Sequence, residues 1–170
     1  MRNRLLLALP LTLAIALAAP ASAQSPGFTP GVSKIRLNGI GKVFTGMTIK
    51  KAREAAGSMP LRRSRVGECV YLVTGPNDGS GPTLRFHNGR LRQVHVGRSG
   101  YATRRGVEVG DRVRKVVRRY KHLSSRPNLG GGRDLIYKKG KRRLIFSVGQ
   151  GTVFGIAGGR APWVLWQECV

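Results

Sequence analysis

The sequence predicts an α+β fold: a tandem repeat of a short helix followed by an antiparallel β-meander, with the helices on one face of the sheet. Three observations carry this expectation. A glycine turn opens an amphipathic run at Gly46 and again, in the same relative position, at Gly110. Short apolar runs bounded by turn residues follow each amphipathic run. Asn88-Gly89 between two such runs is a strong hairpin signal, because both residues tolerate positive φ. The organisation expected is a signal peptide over 1–23, an irregular lead-in over 24–38, a first repeat over 39–98 and a second over 99–170. The two repeats are expected to share one compact domain.

At the N-terminus, Arg2 and Arg4 precede an apolar run from Leu5 to Ala19, and Ala21-Ser22-Ala23 offers a small-residue cleavage site. The run is shorter than the roughly 20 residues of a spanning helix. The expected product is secreted or extracytoplasmic after cleavage near Ala23. Pro26, Pro30 and two glycines make the lead-in irregular.

In the first half, Ile49, Ala52 and Ala56 recur at helical spacing. Thr48 is the expected N-cap and Gly57 the expected stop. A strand is expected over Cys69–Val73, then a turn-rich loop over Pro76–Gly81. Leu84–Phe86 and Leu91–Val96 are the arms of the Asn88-Gly89 hairpin. Leu91 differs in parity from Val94 and Val96, which places a bulge near Arg92. A two-residue turn sets His87 opposite Arg90 and His95 opposite Pro82. The two imidazoles then stand about 16 Å apart and cannot share a metal.

In the second half, Asp111 is the expected cap of a helix whose buried stripe is Val113, Val116, Val117 and Tyr120. Strands are expected over Leu135–Tyr137, Leu144–Val148 and Thr152–Ile156, with a last strand over Trp163–Trp166. Cys69 and Cys169 are the only cysteines. In an oxidising compartment they are expected to pair and to close a 100-residue loop.

The unit from Gly39 to Gly57 reads Gly-x-Gly-x-Val-x-x-Gly-Met-Thr, then a short helix ending in glycine. It resembles small secreted bacterial proteins of the BamE (SmpA/OmlA-type) and β-lactamase inhibitory protein group. Gly106-Val-x-Val-Gly110-Asp111 resembles the opening of the second repeat in such tandem proteins. The resemblance implies helices packed on one face of an antiparallel sheet, with binding on loops or on the other face. The lipidated cysteine of the BamE group is missing here, and no inhibitory residue carries over.

Composition narrows the function. The 170-residue chain holds 31 Lys+Arg against 7 Asp+Glu, a net charge of +24, with 41% apolar residues. That apolar share suits a packed core and argues against global disorder. Three His, two Cys and seven scattered acids leave little for a metal site or an acid/base pair. Gly41-x-x-x-x-Gly46-Met47-Thr48 falls short of a phosphate-binding loop, because Met47 stands where the lysine is needed. No catalytic residue, metal or cofactor is expected.

What remains is the basic surface. Arg112, Arg114, Lys115, Arg118, Arg119 and Lys121 ride on the second helix, and Lys138, Lys139, Lys141, Arg142 and Arg143 cluster at a hairpin tip. Arg62, Arg63 and Arg65, and the ribbon Arg85, Arg90 and Arg92, add to them. These are candidates for contact with a polyanion: a wall polymer, an anionic lipid surface or nucleic acid. They lack the interleaved aromatics of single-strand binders, and no specific nucleic-acid motif is present. The expected function is a non-catalytic exported binding module of the envelope or extracellular space. A polyanion-binding basic protein and a proteinaceous inhibitor of a secreted enzyme are the alternatives.

Overall fold

The computed structural model describes residues 27–57, 61–75 and 81–161. The signal segment over 1–23, the Trp163–Trp166 strand and Cys169 lie outside the described residues. Among the described residues antiparallel β-sheet dominates, at 48% strand against 12% helix. This corrects the expected α+β repeat of helix and meander. The two helices, α1 (Ile49–Ala56) and α2 (Val113–Arg119), are only 8 and 7 residues long, too short to form a layer. The strands run longer than their apolar cores suggested, because charged residues at their ends still pair.

Three two-residue strands, β1 (Ile35–Arg36), β2 (Gly39–Ile40) and β3 (Val43–Phe44), form a small antiparallel sheet within and just after the segment expected to be irregular. The second sheet has eight strands. β4 (Leu61–Val66), β5 (Cys69–Thr74), β6 (Thr83–His87) and β7 (Arg90–Val96) follow one another in space as in sequence. So do β8 (Ser124–Pro127), β9 (Arg133–Lys139), β10 (Arg142–Gly149) and β11 (Thr152–Arg160). β7 pairs β11, leaving β4 and β8 at the edges among the described residues.

Alternation sets the faces of this sheet. Leu72, Leu84, Phe86, Leu91, Val94, Val96, Phe146 and Ile156 point to the main core, where they meet Ile35, Ile40, Val43, Ala52 and Val116. Ile136, Ile145 and Ala157 form a smaller cluster on their own. Each meander carries one bulge. Arg85 pairs Gln93 while Phe86 pairs Leu91, so Arg92 is the extra residue, as the parity of Leu91 and Val94 requires. The bulge moves His95 one place, opposite Thr83 instead of Pro82. Likewise Ser147 pairs Gly155 while Val148 pairs Val153, and the extra residue Phe154 is left 48% exposed.

Thr48 caps α1 as expected, its hydroxyl accepting from Lys51 N–H at 3.3 Å, and Gly57 ends the helix at φ 76°. Asp111 does not cap α2. Arg112 holds that position without a side-chain bond. Asp111 instead accepts from Glu108 N–H at 2.8 Å and pairs with Lys115 at 2.7 Å. The stripe on α2 is also narrower than expected: Val116 and Tyr120 are buried, but Val117 is 52% exposed.

The two glycine turns are held alike. Gly46 N–H donates to Leu91 O at 2.7 Å, and Gly110 N–H donates to Val153 O at 2.8 Å. Both glycines sit in the left-handed region, at φ 95° and 94°, with open space where a Cβ would stand. A side chain there meets no neighbour, so the penalty is conformational alone. Gly46→Val and Gly110→Val are each expected to destabilise by about 1–3 kcal/mol, measured by urea denaturation. Tolerance of valine at both would show that the turns relax.

Candidate functional site

A cleft of about 850 Å³ is walled by the small sheet, the turn before α2 and the ends of β9, β10 and β11. Its position follows from a few contacts. Ile35 N–H donates to Ala102 O at 2.9 Å and Ile35 bridges Thr103 in parallel, which sets β1 beside the 100–103 segment. Thr103 N–H donates to Val107 O at 2.7 Å, and Val107 N–H donates to Thr103 Oγ1 at 3.1 Å. That closed turn presents Arg104 and Arg105 to the cleft. On the other side Gly158 of β11 lies against the Arg36 carbonyl, so closely that a Cβ at 158 would overlap the oxygen.

Seven cations line the cleft: Arg36, Arg104, Arg105, Lys139, Lys141, Arg142 and Arg160. No Asp or Glu is among its described lining residues. Arg36 is half-buried and the other six are exposed, so their positive potentials add at the cleft and are screened by salt. The aromatic rings in the cleft are backed by guanidinium groups. Arg36 lies 5.5 Å from the Phe44 ring centre. Arg105 lies 4.9 Å from that of Tyr120 and 5.3 Å from that of Tyr137. Arg105 Nη1 also donates to the Arg119 carbonyl at 2.7 Å, at the negative end of α2. Its planar fork is thereby set before any ligand arrives. The Arg36 Nε–H is buried and has no hydrogen-bond partner among the described residues. Burial raises the Tyr120 phenol above its ordinary pKa, against the opposing influence of Thr103 and Arg105. It therefore adds no negative charge to the cleft near neutrality.

Of the basic residues singled out from sequence, the fold brings Lys139, Lys141 and Arg142 into this cleft. Lys138 and Arg143 do not line it, and Arg143 Nη1 donates to the Gly140 carbonyl at 2.6 Å. Arg112, Arg114, Arg118, Arg119 and Lys121 stand exposed on and beside α2, while Lys115 is paired with Asp111. Arg36, Arg104, Arg105 and Arg160 were not singled out. The pair Arg104-Arg105 was visible in the sequence, but nothing there connected it to Arg36.

A second concavity of about 390 Å³ is lined in part by Leu129 and the bulged Phe154. Asp134, 4% exposed, lies at this site and accepts from Arg126 Nη2 at 3.0 Å and Ser147 Oγ at 2.8 Å. Its carboxylate is already engaged, so the site's distinctive surface is the apolar pair, with Leu129 90% exposed.

Among the described residues no group of three His, Cys, Asp or Glu side chains could hold a metal ion. His87 Nε2 lies 2.9 Å from Glu68, and burial lowers the His95 pKa to about 4. Cys69 is fully buried on β5, and no described cysteine is a free thiol. No helix among the described residues is long and apolar enough to cross a membrane. No family model matches the chain, and neither a curated protein nor a solved structure matches it.

Proposed function

We propose that this protein is an exported, non-catalytic binding module whose ligand is an anion seated in the cationic cleft. The observation that carries the reading is the convergence of seven cations around one concavity, with no carboxylate among its described lining residues. An exposed basic surface alone would not distinguish a binding site from a merely solvated one. Here two of the arginines are held on aromatic rings, which fixes their planes before a ligand arrives. A bound oxyanion would relieve the repulsion among the cations. Export is supported by the basic, apolar and small-residue segments that succeed one another up to Ala23.

Two triple variants that each remove three charges test the reading. Arg36→Ser/Arg105→Ser/Arg142→Ser is expected to weaken binding of labelled heparin on the order of 10- to 100-fold, since charge-assisted hydrogen bonds are lost. Arg112→Ser/Arg114→Ser/Arg118→Ser, on α2, is expected to change it only a few-fold, through the long-range field. Fluorescence anisotropy at fixed salt reads both. Equal losses would assign the affinity to net charge and remove the cleft from the account.

A second reading has its own support. Leu129 and Phe154 form an exposed apolar pair, a surface suited to docking on another protein, as an inhibitor of a secreted enzyme would require.

A further inference from the structure

We infer that the cleft recognises an acidic glycan, a chain of sugar rings bearing carboxylate or sulfate groups, in preference to nucleic acid or inorganic polyphosphate. The inference rests on the anion-binding reading above and narrows its ligand class.

The aromatic rings argue against nucleic acid. Sequence-tolerant binding of single strands needs open ring faces on which bases stack. Arg105 covers Tyr120 and Tyr137, and Arg36 covers Phe44. Behind Arg105, Tyr120 is only 4% exposed, with its ring centre 4.9 Å from that of Phe146 and 5.1 Å from that of Tyr137. The cleft therefore lacks the series of open ring faces on which a run of bases would stack. Its guanidinium planes suit bidentate contact with carboxylate, sulfate and phosphate oxygens alike, so the choice among these anions falls to the uncharged lining.

The uncharged lining argues against polyphosphate. A linear phosphate chain carries oxygen on every side and gains nothing from an apolar wall. Yet half-buried Leu37 presents carbon to the cleft beside the cations, over the nearly inaccessible Ile35 and Leu144 at its floor. Asn38 and Thr45 add an amide and a hydroxyl, uncharged groups that donate and accept as sugar hydroxyls do. A glycan has a use for all three kinds of surface: charge for its acidic substituents, carbon for its ring faces, and neutral polar groups for its hydroxyls. The volume of about 850 Å³ is within the usual range of roughly 300–1,000 Å³ for ligand sites.

The test uses the full mature chain with four probes: hexagalacturonate, a heparin hexasaccharide, polyphosphate and oligothymidylate. Polyphosphate and oligothymidylate are each used at two lengths, one matched in charge to each hexasaccharide, and every comparison is made at equal charge. Titration calorimetry at physiological salt is expected to show at least one hexasaccharide binding at least tenfold tighter than both polyphosphate and oligothymidylate. A margin over the charge-matched probes for hexagalacturonate shows that carboxylates suffice, and a margin for the heparin hexasaccharide alone shows that sulfate is needed. Asn38→Ala/Thr45→Val leaves the charge unchanged and is expected to lower affinity for that glycan five- to tenfold while leaving polyphosphate affinity as it was. Thr45→Ser with Asn38 intact, which keeps both polar groups, is expected to bind as the wild type does. Polyphosphate or oligothymidylate binding as tightly as the tighter-binding glycan would overturn the inference while leaving the anion site standing. So would equal losses for all four probes in Asn38→Ala/Thr45→Val. If the cleft triple variant weakens none of the four, the broader reading fails as well.

Discussion

Cys69→Ala and Cys169→Ala are each expected to lower the melting temperature by about 10–15 °C, and by similar amounts. The size follows from chain entropy. Closing a 100-residue loop removes about 4.7 kcal/mol of unfolded-state freedom, and in a domain of this length 1 kcal/mol moves Tm by about 2–4 °C. Cys69 is fully buried on β5, opposite Val66 on one side and His87 on the other. Alanine is the substitution of choice, because serine would add a hydroxyl to a site closed to water. The similarity of the two effects is the discriminating feature. Loss of packing at Cys69 alone would leave Cys169→Ala nearly neutral, whereas a shared bond makes the second substitution as costly as the first. Calorimetric scans of both variants, with thiol titration of the native oxidised protein, check it. Two titratable thiols would end the proposed pairing.

Gly158→Ala is expected to cost about 1–3 kcal/mol and to weaken anion binding at the same time. β11 runs under β1 at this point, and the added methyl would meet the Arg36 carbonyl, a backbone atom that cannot swing aside as a flexible side chain can. Moving it shifts β1 and with it the Arg36 guanidinium. Gly130→Ala is the control, since a Cβ there has ordinary van der Waals neighbours and the residue needs no positive φ. Urea denaturation and heparin anisotropy on both variants separate the outcomes. A Gly158→Ala protein with native stability and native affinity would show that the two sheets are not held as closely as described.

The sequence made local features legible where one face of a strand or helix is buried. The parity break between Leu91 and Val94 marked the Arg92 bulge, and Thr48 with Gly57 marked both ends of α1. The fold class was misjudged because β4 and β8 give little pattern. Arg62, Arg63 and Arg65 alternate with nothing apolar, and Ser124–Pro127 holds no large hydrophobic residue. Edge strands such as these are recruited by neighbours, which a reading along the chain does not see. The cleft was hidden for a related reason. Its walls come from β1, β3, the turn before α2 and three later strands, so no window of sequence contains it. Lys139, Lys141 and Arg142 were noticed because they are adjacent. Arg36 and Arg105 acquire meaning only from Phe44, Tyr120 and Tyr137, which the fold brings to them.

The outermost strand β4 bears on how copies of this molecule coexist. Its exposed Arg62, Arg63 and Arg65 mean that two molecules drawing near along this rim meet mutual repulsion before a shared ladder can start. Among the described residues this rim therefore disfavours strand-to-strand pairing between copies, an effect that weakens in concentrated electrolyte, where that repulsion fades.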